Sequence, residues 1–303
     1  MPVQAEAFFL PAAAPAGGQR FCIFHPASDG AGLPLARPKG QILYIHPFAE
    51  EMNKSRRMAA LQARAMAGAG YAVLQIDLLG CGDSSGDFGD ATWQAWVDDV
   101  VAGITWLRAR PSIGSQPFGE VPLWLWGLRA GCLLAVDAAH KLVDPCHFLF
   151  WQPPASGKLL LQQFLRLKVA GDLASGQAKG VMEGLRQQLA NGGSVEIAGY
   201  TLASGLASGL EESLMAPPAA QAGGRVEWLE VSTRQPTDGS AANTTVSPVA
   251  EKAIALWRTQ GIQVRSRVAR GPAFWQTTEI EDAPDLIGQT LLALDATDSN
   301  GQT

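Results

Sequence analysis

The 303-residue chain predicts an α/β fold: a mostly parallel eight-stranded sheet with helices on both faces and an inserted helical cap. Three observations carry that expectation. Short apolar runs rich in β-branched and aromatic residues alternate with longer amphipathic stretches, the pattern of strands joined by crossover helices. Hydrophobic residues make up 47% of the chain and charged residues 17%, which suits one large buried core. One interval, 153–224, carries helical periodicity without a strand of the sheet, and at about seventy residues it is too long for a plain crossover.

The elements follow in order. A short run at 7–10 reads as an antiparallel edge strand, and runs at 21–25, 41–46, 71–77, 121–126, 146–152, 225–231 and 263–270 supply the other seven. Helices are expected at 54–68, 93–108, 129–142 and 249–259. Gly70 and Gly261 give two of these a glycine stop, and Ser247-Pro248 opens the last with proline in the first turn. Helical patterns at 158–174, 178–190 and 205–215 read as a cap over one end of the sheet. The domain plan is a core of 1–152 and 225–295, a cap of 153–224 and a flexible tail of 296–303; the polar 235–247 loop also reads as mobile.

Composition removes several function classes. A net charge of −5 favours neither nucleic acid nor an anionic membrane surface. No apolar run is long enough for a membrane span, and 1–10 lacks the marks of a secretory signal, so a cytoplasmic protein is expected. Cys22, Cys81, Cys132 and Cys146 are widely separated without a CxxC pair, so neither disulfides nor a metal site are expected. No phosphate-binding loop occurs. Gly80-Cys81-Gly82 has Ser85 where a dinucleotide fingerprint needs its third glycine, so no cofactor is expected.

The motifs narrow the fold. His46-Pro47-Phe48 follows a strand as an oxyanion loop does. Asp77-Leu78-Leu79-Gly80-Cys81-Gly82-Asp83-Ser84 resembles a D-x-x-G-x-G-x-S turn. Trp126-Gly127-Leu128-Arg129-Ala130-Gly131 runs from strand to helix with the glycine spacing of a nucleophile elbow. Together with the late cap, these landmarks resemble the α/β-hydrolase superfamily over residues 20–290.

The segments 46–56, 126–129, 152–167 and 271–275 further resemble the exosortase A system-associated hydrolase 2 family. Its members accompany bacterial exopolysaccharide and protein-sorting clusters. The resemblance implies a cytoplasmic α/β-hydrolase-like protein of that system and names no substrate.

The catalytic positions depart from that pattern. The centre of the elbow is Arg129, a guanidinium that stays protonated and cannot attack a carbonyl carbon. All four histidines (His25, His46, His140 and His147) precede residue 150, so the loop after the last strand holds no base. Asp238 is the one aspartate in the loop where the acid belongs, and it has no base to orient. The expected reading is a pseudoenzyme. The backbone N–H groups of Phe48 and Ala130 mark the oxyanion position, with Pro47 in place of the usual glycine. His46, Glu50, Glu51, Arg129, Trp151 and Trp275 are the pocket candidates.

Two accounts of Arg129 stand open. It forms an internal ion pair with Glu50 or Glu51, or it receives an anionic small molecule at the helix N-terminus. The competing function is an ester, thioester or amide hydrolase with Cys132 or Cys81 as nucleophile; Cys81 reads as the better exposed. A third reading is a structural partner that dimerises through the cap. Ser84 is expected to bond local backbone.

Overall fold

A computed structural model of the chain describes residues 3–13, 16–110, 121–174, 180–218, 224–233 and 245–296. In chain order these hold β1 (Glu6–Pro11), β2 (Gln19–His25), β3 (Gly40–Ile45), α1 (Glu50–Gly68), β4 (Tyr71–Ile76), α2 (Trp93–Ala109), β5 (Leu123–Leu128), α3 (Ala130–Ala139) and β6 (His147–Trp151). Then come α4 (Gly157–Ala174), α5 (Val181–Ala190), β7 (Ser194–Ile197), β8 (Tyr200–Ala203), α6 (Ser204–Glu212), β9 (Arg225–Ser232), α7 (Pro248–Thr259), β10 (Gln263–Arg270) and α8 (Pro284–Asp295). Asp238, most of the 235–247 loop and the tail beyond residue 296 lie outside the described residues.

Eight strands form one sheet in the order β1-β2-β4-β3-β5-β6-β9-β10. β2 is antiparallel to β1 and β4, and the other pairs are parallel. Side chains of successive strand residues point to opposite faces, so the continuous apolar runs split into two cores. From β3 and β5, Ile42, Tyr44, Trp124 and Trp126 pack with Met58 and Met66 of α1 and Leu286 and Leu294 of α8. Their neighbours Leu43, Ile45, Leu123 and Leu125 join the opposite core, with α2, α3 and α7.

The insertion between β6 and β9 differs from an all-helical cap. Besides α4, α5 and α6 it contains the antiparallel hairpin β7-β8. Its turn is Ala198-Gly199, both at positive φ (50° and 82°), where an alanine replaces the asparagine or aspartate that usually advertises such a turn. The insertion packs on the core through Phe164, Leu165, Leu206 and Leu210, all in the α2–α3 cluster.

Two boundaries also move, and one helix is added. α1 begins at Glu50, four residues before the periodic run, because its first turn is acidic rather than apolar. α3 stops at Ala139. α8 answers to no helix in the sequence reading, although Pro284 at its start is a helix-opening signal. Among the described residues, no helix is long and apolar enough to cross a membrane.

Candidate functional site

The site lies where β3 and β5 deliver their loops beneath the cap. β5 ends in the elbow, and Arg129 takes φ 54° and ψ −117°, a conformation that costs a non-glycine residue about 1–3 kcal/mol. Its neighbours over-determine the turn. A Cβ on Gly131 would stand 2.1 Å from the Ile45 carbonyl oxygen, and one on Gly127 would stand 2.5 Å from the Cys132 nitrogen. Arg129 N–H donates to the Trp151 carbonyl at 3.0 Å, and Cys132 N–H donates to the Arg129 carbonyl at 3.0 Å. The elbow therefore keeps the backbone of a nucleophile turn without a nucleophile. The loop after β3 carries a similar strain at Ala49 (φ 50°, ψ −128°), the residue before α1.

The guanidinium of Arg129 is held on two sides. Its Nη2 lies 3.2 Å from Glu51 Oε1, and Nε donates to the same carboxylate at 3.3 and 3.4 Å. Nη2 also donates to Gln163 Oε1 of α4 at 2.9 Å. Both partners of the ion pair are mostly buried, with side-chain exposures of 11% and 13%. Of the two accounts of Arg129, the structure shows the internal pair, and its partner is Glu51 rather than Glu50. Burial pushes the Glu51 carboxyl above its usual range, against the opposing pull of Arg129 and the Gln276 side chain.

Phe48, Glu50, Glu51, Lys54, Arg129, Gln163 and Gln276 line a cavity of about 240 Å³, closed by Leu160, Phe164 and Leu167 of α4. Phe48 and Ala130, the residues of the expected oxyanion position, are buried on either side of the elbow.

Three pocket candidates lie elsewhere. His46 lines a separate cavity of about 230 Å³ between α1 and the sheet, with Tyr44, Arg56 and Asp77. Its Nε2 accepts from Leu78 N–H at 3.3 Å, which leaves Nδ1 to donate to the Pro47 carbonyl at 2.8 Å. Burial keeps its pKa below the ordinary value, so it is a neutral structural histidine. Trp151 is fully buried, and its Nε1 donates to Thr290 Oγ1 at 3.0 Å. Trp275 is buried against Phe274. An indole is large and apolar enough to be drawn into the core, which leaves the smaller amide of Gln276 to face the cleft.

Both alternative nucleophile candidates are buried. Cys132 has no exposure, its Sγ donates to the Gly127 carbonyl at 3.1 Å, and burial drives the thiol well above its ordinary pKa. Cys81 is 7% exposed rather than open to solvent, and its thiol is raised by the same desolvation. Ser84 bonds backbone, donating to the Asp77 carbonyl at 2.6 Å and accepting from Phe21 N–H at 2.8 Å.

Three site residues were not singled out from the sequence. Gln163 and Gln276 approach Arg129 and Glu51 only through tertiary contacts between distant segments. Among the described residues, Glu230 near the end of β9 is a carboxylate beside the loop where the acid is expected. Its carboxylate is engaged by Ser247, accepting from N–H at 2.6 Å and from Oγ–H at 2.8 Å, and so anchors the start of α7. A carboxylate at the end of the seventh strand of the main sheet was the available signal.

The strand order, the elbow and the late insertion define the α/β-hydrolase fold. Comparisons agree with this class. Residues 23–132, less than half of the chain, match the family model of the X-Pro dipeptidyl-peptidase (S15 family). Human Protein ABHD12B is 29% identical over 123 residues, a match covering 41% of this chain and 29% of that protein's length. An α/β serine hydrolase without lid from Xanthomonas campestris superposes with a TM-score of 0.51 at 17% identity, over 98% of this chain and 99% of that one. Est1E from Butyrivibrio proteoclasticus, solved with ferulic acid bound, gives 0.59 at 15% identity, over 95% and 96%.

Proposed function

We propose that this protein is a non-hydrolytic, small-molecule-binding pseudoenzyme of the α/β-hydrolase superfamily, working in the cytoplasm of a bacterium as part of an exosortase and exopolysaccharide system. One observation carries the loss of hydrolysis: the elbow residue is Arg129, tied to Glu51 and Gln163, where the chemistry requires a nucleophile. The base position offers Gln276, which carries no titratable nitrogen, and Glu230 is committed to Ser247. A cavity nevertheless persists beneath the cap, lined by both charged or amide groups and apolar side chains. The link to the exosortase system rests on the resemblance of the 46–56, 126–129, 152–167 and 271–275 segments.

The first test is turnover of a panel of short-chain acyl esters and thioesters by the purified protein, beside Arg129→Ala and Cys132→Ala. No turnover above background is expected from any of the three. Activity that copurifies with the wild type and falls in one variant would overturn the non-hydrolytic reading.

A further inference from the structure

We propose that the Arg129 cleft selects a neutral molecule bearing a hydrogen-bond donor beside an acceptor, an amide or a hydroxyl pair, on an apolar body. The inference rests on the ligand-binding reading of this site and names the ligand's chemistry. Four charged side chains line the cavity, and their formal charges cancel: Glu50 and Glu51 against Lys54 and Arg129. An anion drawn to Arg129 must compete with Glu51, already on its Nε and Nη2, and must approach a second carboxyl at Glu50. A cation meets Arg129 and Lys54.

The unfilled hydrogen-bonding capacity is of both kinds. Among the described residues, Arg129 Nη1 donates to no protein acceptor, whereas Nε and Nη2 are both engaged. Glu50 Oε2 is buried and accepts from no donor. A buried acceptor left without a donor is destabilising, and because the Glu50 side chain lines the cavity, its turning toward a ligand N–H or O–H would relieve it. The matching acceptor on the ligand belongs on Arg129. An amide oxygen already sits there, that of Gln163 at 2.9 Å.

The shape extends the argument. On the other side of the Arg129–Gln163 bond lies a second lobe of about 160 Å³. Two of its polar groups are engaged internally: Gln152 Oε1 accepts from Val231 N–H, and Glu230 accepts from Ser247. That lobe sets the apolar surfaces of Pro153, Leu159, Trp228 and Val249 beside the polar side chains of Arg129 and Gln163. Leu159 and Leu167, one in each lobe, are 47% and 42% exposed on α4. A molecule whose polar group meets Arg129 and Glu50 and whose apolar body lies along Phe48, Leu160, Phe164 and Leu167 is the complement of this cleft.

The test uses four probes of one chain length, N-methylhexanamide, hexanoate, hexylammonium and methyl hexanoate, titrated at neutral pH and followed by ligand-observed NMR. N-methylhexanamide is expected to bind about tenfold or more tightly than either ion. Glu50→Ala should weaken it about fivefold, and Glu50→Gln, which keeps an acceptor oxygen, should largely restore it. Each variant is checked for wild-type thermal unfolding. Tighter binding of hexanoate, or no saturable binding of any probe by the folded protein, overturns the inference. Release of methanol from methyl hexanoate is a separate outcome that would overturn the non-hydrolytic reading instead.

Discussion

At the scale of single residues, the pair of Arg129 and Glu51 governs what the site can do and how it responds to pH. Glu51 is nearly enclosed, and burial raises its pKa although a guanidinium lies beside it. A carboxyl raised in the folded state stabilises the fold fully below its unfolded pKa, and that contribution is lost as pH rises through the folded value. Arg129→Ala removes the main opposing influence, so the Glu51 pKa should climb further. The variant should be destabilised by about 3 kcal/mol in mildly alkaline buffer, with the deficit shrinking as the pH falls and Glu51 takes up a proton. Urea unfolding across pH reads this directly. In Glu51→Gln the pH-dependent part should disappear, and a deficit independent of pH in Arg129→Ala would show that Glu51 does not respond as described.

At the scale of elements, the two strained turns make opposite demands on substitution. Gly131 has no room for a side chain, because its Cβ would collide with backbone of the loop after β3. Gly131→Ala should cost at least about 3 kcal/mol in urea unfolding or prevent folding. Ala49 has the side chain but pays for it at φ 50°, so Ala49→Gly should be neutral or stabilising by up to about 1 kcal/mol in the same assay. Much of this layer was legible in the sequence. Apolar runs announce strands by themselves, and Gly127 and Gly131 mark the elbow whatever residue stands between them. The hairpin β7-β8 was not legible because Ala198 hides its turn. α8 was not legible because its Leu, Ile and Ala residues follow a loop without periodic warning. At the site, Arg129 and Glu51 stood out by their chemistry, whereas Gln163 and Gln276 are ordinary amides until the fold brings them together.

For the whole molecule, the insertion behaves as part of the core that it covers. Phe164, Leu165, Leu206 and Leu210 belong to the same apolar cluster as Trp96, Leu133 and Trp257. Cap and sheet should therefore unfold together, with tryptophan fluorescence and far-ultraviolet circular dichroism giving coincident thermal transitions. Five tryptophans are almost wholly enclosed, at positions 96, 126, 151, 228 and 257, so the fluorescence reports mainly on the core. A distinct early transition seen only by circular dichroism would make the insertion an independent unit.

The contacts around Arg129 also bear on the order in which the chain can complete itself. They draw on α1, the elbow after β5, the cap helix α4 and the loop after β10. Gln276 comes from the last of these in chain order, and it faces a carboxylate of α1, the first. During synthesis the N-terminal strands and the elbow can assemble while this final segment is still unmade. The cleft then stands open on one side, with Glu51 reachable by water, until the most sequence-distant contact closes. Closure of the site waits for the loop after β10, and a chain released before β10 would carry the arginine clasp without its last wall.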